Sequence, residues 1–128
     1  MLKKEITYTT FDDEEITEQF LFNISKAELY DMELGNEKGL EETIREIVKT
    51  QDRVRMWELF KGLIVKSYGV KSPDGKRFIK SEELTKEFTQ TDAFSVLMTE
   101  LLSNEQNAIA FVNGIIPKDL AEQVNAKA

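Results

Sequence analysis

Between Asp52 and Gly69 the chain reads DRVRMWELFKGLIVKSYG, a pattern that no one-sided surface helix has. At about 100° per residue, Val54, Met56, Trp57, Leu59, Phe60, Leu63, Ile64, Val65 and Tyr68 spread over more than half of a helix circumference. Arg55, Glu58, Gly62 and Lys66 form the only clearly polar strip. A helix so broadly apolar has to be wrapped by other elements or by a partner chain. Asp52 is placed to accept hydrogen bonds from the free N–H groups of the first turn, and Gly69 to take the left-handed conformation that closes the last. Gly62 in the interior costs about 1 kcal/mol relative to Ala, so either another backbone passes close by or the cost is tolerated. The core expected from this helix sets Trp57, Phe60, Leu63 and Ile64 against Phe94, Leu97, Leu101 and Phe111 from later helices.

Residues 2–24 read as a β-hairpin. Ile6, Tyr8 and Thr10 alternate with Glu5, Thr7 and Thr9; beyond the acidic turn Asp12-Asp13-Glu14-Glu15, Ile16, Phe20 and Phe22 alternate with Thr17, Gln19 and Leu21. Glu18 interrupts the apolar face. A two-stranded ribbon is marginal alone, so it must lie on the helices, pair with another subunit, or both.

Residues 25–126 read as helical. Ser25-Lys26-Ala27-Glu28 has the capping-box pattern, opening a short helix through Leu29, Met32 and Leu34. Leu40, Ile44, Ile47 and Val48 stripe a second helix ahead of the central one. Past Gly69, Ser72-Pro73-Asp74-Gly75 is a turn signal, with Val70 facing Phe78 across a miniature hairpin. Ser81 caps a helix bearing Leu84 and Phe88, and Thr91 caps one bearing Phe94, Leu97, Met98, Leu101 and Leu102. Ser103 and Gln106 repeat the capping-box pattern before Ala108, Ile109, Phe111 and Val112. Gly114 closes that helix, and Pro117 suits the first turn of a last one containing Leu120 and Val124. The expected architecture is a single domain over residues 1–128, mainly α (α+β): an N-terminal β-hairpin followed by a compact helical part of about six or seven helices.

The chain has 128 residues, enough to bury a core without disulfides or metal. It contains no His and no Cys, which removes the commonest general base near neutral pH, thiolate nucleophiles and structural zinc sites. The acidic turn Asp12 to Glu15 lacks the alternating ligands, central glycine and distal glutamate of a calcium loop, and reads as solvated. Pro73-Asp74-Gly75-Lys76-Arg77 lacks the spacing of a phosphate loop. No catalytic residue, metal ligand or cofactor site is therefore assigned, and no enzymatic activity is expected. A net charge of −7 disfavours a binder of nucleic acid, which gains from clustered Lys and Arg. The start MLKKEITYTT holds no signal-peptide run, and no stretch approaches the ~20 apolar residues of a membrane span. A cytosolic protein is the economical reading.

Three blocks carry a resemblance: Ser67-Tyr68-Gly69-Val70-Lys71-Ser72-Pro73-Asp74-Gly75-Lys76-Arg77-Phe78-Ile79-Lys80, Glu87-Phe88-Thr89-Gln90-Thr91-Asp92-Ala93-Phe94-Ser95, and Asn113-Gly114-Ile115-Ile116-Pro117. In this order the chain resembles the tail assembly chaperones of long-tailed phages and prophages of Gram-positive bacteria. The resemblance implies binding to the tape measure protein, a long helical apolar chain kept soluble in the host cytoplasm while the tube assembles. It implies absence from the mature virion, and in many such phages a longer frameshifted form beside a short form like this one. Homo-oligomers, or assembly with the longer form, are expected from the resemblance and from the hairpin's unpaired edges. The partner-binding surface expected here combines Tyr8, Phe20 and Phe22 with Val70 and Phe78. A head–tail connector or other small virion protein fits the same composition. An acidic mimic of nucleic acid fits it less well, because Lys and Arg are interspersed along most helices.

Overall fold

The alternating residues of the N-terminal stretch form two antiparallel strands, β1 (Leu2–Thr9) and β2 (Glu15–Phe22), in register from Leu2 opposite Phe22 to Thr9 opposite Glu15. The computed structural model describes residues 1–33, 45–46 and 49–117. After the hairpin come α1 (Lys26–Glu33), α2 (Arg53–Ser67), β3 (Tyr68–Lys71), β4 (Phe78–Ile79), α3 (Glu82–Thr89), α4 (Asp92–Ser103) and α5 (Glu105–Ile115). The fold is thus α+β with five bounded helices among the described residues, not six or seven. The expected second helix, with Leu40, Ile44, Ile47 and Val48, and the expected last one, with Leu120 and Val124, lie outside the described residues. Residues 45–46 and 49–50 are helical as well.

The ribbon does not stand alone. The strands form one four-stranded sheet in the order β1-β2-β3-β4. β3 joins β2 only at its base, through Leu21 opposite Gly69 and Phe22 opposite Tyr68. Beyond this the Asn23 N–H donates to the Ser67 carbonyl at 2.7 Å, tying the ribbon's end to the end of α2. In the second hairpin Val70 stands opposite Ile79, and Lys71 opposite Phe78, so the expected Val70–Phe78 pairing is off by one residue. The turn itself closes as its residues dictate: Gly75 N–H donates to the Ser72 carbonyl, and Asp74 Oδ1 accepts from the Ser72 hydroxyl at 2.6 Å.

Helices cover the inner face of the sheet, with α4 packed on β1, α2, α3 and α5. Phe22, Phe60, Leu63, Ile64, Leu97, Leu101 and Phe111 are buried, and Phe94 lies at the edge of the same core. Trp57 is different: it is 41 % exposed rather than buried as expected. The buried residues of α2 are Met56, Phe60, Leu63, Ile64 and Ser67, the single face that recurs every three to four residues. The apolar residues flanking that face, Val54, Trp57 and Val65, are exposed. Among the described residues the helix is covered on one side only.

Several ends differ from expectation. α2 passes straight into β3 through Tyr68, whose backbone is extended, and Gly69 is a strand residue. Its lack of a side chain serves close approach: a Cβ there would meet the Ile79 carbonyl oxygen at 2.6 Å and the Phe78 ring at 2.7 Å. Gly62 has nothing within 4 Å of a notional Cβ, so its cost is simply tolerated. Gly114 lies inside α5 rather than closing it, against Leu2. Thr91 directs its hydroxyl back to the Phe88 carbonyl at 2.7 Å instead of capping α4. Asn104, not Ser103, caps α5, its Oδ1 accepting from the N–H groups of Gln106 and Asn107.

Candidate protein-binding surface

The aromatic residues expected to face a partner are mostly internal. Tyr8, Phe20 and Phe22 point from the sheet into the core and are buried, so they are not available as a docking surface. Phe22 meets Phe111 edge-on at 5.4 Å, and Phe20 meets Phe88 at 5.0 Å. Tyr68 stacks on Phe88 at 4.6 Å. Alternation correctly put these side chains on one face of the ribbon; that face is the one the helices cover. Val70 and Phe78 are half-buried. Phe78 lies over Gly69, and the Lys80 ammonium sits 5.7 Å from its ring centre.

One stretch of apolar surface is left open on α2. Val54, Trp57, Lys61 and Val65 recur at spacings of three and four and form one outward stripe. From Val54 to Val65 it spans eleven residues, roughly 16 Å of helix. Trp57 is held from beneath, its ring edge-on to Phe94 at 6.3 Å and 74°, so it stands on the core rather than swinging free. The signal for this stripe was present in the sequence: the apolar arc of α2 is broader than one packing face needs.

Each end of the stripe borders a depression. Near Val54, Arg53, Met56, Leu101, Leu102 and Glu105 help to line one of about 330 Å³. At the other end a larger groove of about 610 Å³ opens between α1, α2 and α3. Ile24 and Thr85, both buried, help to line it, together with the exposed Val65, Lys61, Lys66 and Lys86. One wall is tied by an ion pair: Lys80 Nζ reaches both Glu28 oxygens, at 2.9 and 2.7 Å. Glu28 also accepts from the Ser25 N–H at 3.0 Å while the Ser25 hydroxyl accepts from the Glu28 N–H, the reciprocal cap of α1. Burial pushes the Glu28 carboxyl up, but the hydrogen bonds from Lys80 and Ser25 outweigh it and hold the group below its ordinary range.

The opposite end of the sheet presents the hairpin tip. Thr10 organises it: its N–H donates to the Glu14 carbonyl, its carbonyl accepts from Asp13 N–H, and its hydroxyl accepts from the N–H groups of Asp12 and Glu14. Asp13 takes a positive φ of 62°. Phe11 projects from this bonded turn and is 86 % exposed.

Among the described residues no group of three or more acidic side chains is gathered to hold a metal ion, and no helix is long and apolar enough to cross a membrane. The surface offers shape, apolar area and charge for binding another protein. A family model described as phage tail assembly chaperone matches residues 1–128, the whole chain. Comparison with curated proteins and with solved structures gave no match.

Proposed function

The chain belongs to the phage tail assembly chaperone family, and from that premise we propose that it binds the tape measure protein through the outward stripe of α2 and keeps it soluble during tube assembly. The observation that carries the reading is Trp57, a large ring 41 % exposed on a helix anchored in the core, with Val54 68 % exposed one turn before it. Exposed aromatic anchors on a rigid support are the residues that dominate protein–protein binding. A free tape measure chain displays long apolar helical stripes, which aggregate unless another apolar surface shields them. A partner helix laid along Val54 and Trp57, with its next turns over the depression beside Met56 and Leu101, buries both stripes together.

So short a contact is modest by design. A shield has to come off as the tube advances, and many modest contacts along one long partner reinforce one another through effective concentration. The acidic exterior keeps the coated complex soluble and away from nucleic acid. The protein works in the host cytoplasm and leaves before the virion is complete.

Co-expression with the tape measure protein of the same genome tests this directly. The tape measure protein is expected to be soluble only with this chain, and to lose that solubility with Trp57→Ser. A tape measure protein equally soluble alone, with no complex surviving a pull-down, removes the proposal. Presence of the chain in purified virions removes its transient character.

A further inference from the structure

We infer that the helix received by the α2 stripe is an acidic amphipathic one, with carboxylates about one turn on either side of the apolar side chain it sets on Trp57. The inference rests on the reading of that stripe as the docking surface, and adds what the partner has to carry.

Charge on this protein is unevenly placed. The whole chain has 24 acidic and 17 basic residues, yet α2 holds Arg53, Arg55, Lys61 and Lys66 against the single carboxylate of Glu58. The helix that presents the exposed apolar stripe is thus a basic element of an acidic chain.

Two of the four cations are in register with the anchor. Arg53 precedes Trp57 by four residues and Lys61 follows it by four, so the three share one helix face at steps of about 6 Å along the axis. All three are exposed. Among the described residues neither cation has an ion pair, although Glu58 stands three residues before Lys61 and Glu105 lines the same depression as Arg53. The Trp57 indole N–H, which can only donate, has no acceptor among them either. Three donors in a row, centred on one apolar ring, are open to a partner.

Beyond Lys61 the same sign continues. In the groove at that end Lys66 and Lys86 are exposed and unpaired among the described residues, while Glu28 is taken by Lys80. Asp31 and Glu82 share the lining, the latter in the first turn of α3, where free N–H groups offset its charge.

An apolar stripe alone accepts any apolar helix in many registers. Cations a turn to either side of the anchor change that. A helix with lysines there is repelled, whereas one with carboxylates is drawn in and held in one register. The matching partner has an apolar residue with Asp or Glu four residues before it and four after, all on one face. Because the bracket is symmetrical about Trp57, a helix laid in either direction meets the same pattern.

Three synthetic amphipathic helices without tryptophan test this, identical except at the two positions four residues either side of a central apolar anchor, which hold Glu, Gln or Lys. Trp57 is the only tryptophan, so its fluorescence reads binding to the full chain. The Glu peptide is expected to bind about three- to tenfold more tightly than the Gln peptide at low salt, and the Lys peptide more weakly than both. Raising the salt should erase most of the difference. Arg53→Glu with Lys61→Glu, both at exposed positions, should reverse the order so that the Lys peptide binds best. Equal binding of the three peptides overturns the inference and leaves the stripe as a docking surface. So does a preference for Glu that the folded charge-reversed variant keeps. Binding of none of the three overturns it together with the reading of the stripe.

Discussion

Tyr8 and Glu18 meet diagonally across the hairpin, the phenol donating to the carboxylate at 2.6 Å. Glu18 is the residue that breaks the apolar alternation of β2, and this bond is how the sheet accommodates it. The Tyr8 ring is buried while its hydroxyl reaches the rim where Glu18 remains in water. The hydrogen bond to Glu18, with burial and the carboxylate's charge adding to it, raises the phenol from 10.0 to about 12.

A group whose folded pKa is raised contributes stability that is complete below its unfolded pKa and is lost as pH climbs through the folded one. For Tyr8 that window runs from 10.0 to about 12. Tyrosinate absorbance should therefore show a late step near its end, and Tyr8→Phe should remove that step. Stability of Tyr8→Phe should also fall less steeply than that of the wild type across the same window.

Gly62 and Gly69 should respond oppositely to the same substitution. Gly62→Ala fills open space in a helix interior and is expected to stabilise by about 0.5–1 kcal/mol. Gly69→Ala drives a methyl into a backbone oxygen and a ring, and is expected to cost about 1–3 kcal/mol. Urea midpoints of the two variants check both signs.

Phe60 and Trp57 separate core from surface on one helix. Phe60→Ala should cost about 3–5 kcal/mol, since the ring is fully buried. Trp57→Ala should cost clearly less, because much of the ring already faces water. Trp57 fluorescence in the native protein should be open to a soluble quencher, and binding of a tape measure segment should protect it.

The Lys80–Glu28 pair gives a smaller effect of the other pH sense. Glu28 has a lowered folded pKa, so its contribution is present above the ordinary value of 4.5 and lost as pH falls through the folded one. The pair is partly exposed, so Lys80→Gln should cost only about 0.3–1 kcal/mol at neutral pH. Below the folded pKa of Glu28 the variant and the wild type should converge.

Local features were legible in the sequence. The hairpin, the reciprocal cap of Ser25 and Glu28, the Asp52 and Ser81 caps, and the Ser72–Gly75 turn with Gly75 at a φ of 73° each follow from a few neighbouring residues. Ser103 and Asn104 are adjacent and both competent to cap, so pattern alone could not choose between them. The joining of β2 to β3 was hidden because it rests on two pairs between residues far apart in sequence. Trp57 was misplaced for a related reason. Periodicity shows which face of α2 is apolar, but the width that is covered depends on how many neighbours pack there. The resemblance points to a partner, but Tyr8, Phe20 and Phe22, which share the apolar face of the ribbon, are the sheet's contribution to the core.

Among the described residues β3 meets β2 only at Leu21 and Phe22 and no strand lies beyond β1, so there the outer part of the ribbon has an open backbone rim on both sides. Open rims are templates for adding strands, a hazard for any soluble protein. Both rims are guarded by charge, with Lys3 and Glu5 exposed on one strand and Glu15 and Glu18 on the other. A foreign strand that tried to extend the sheet would have to lie beside these side chains and strip water from them. The ribbon can thus carry its tip out into solvent without offering a ready edge to an incoming strand.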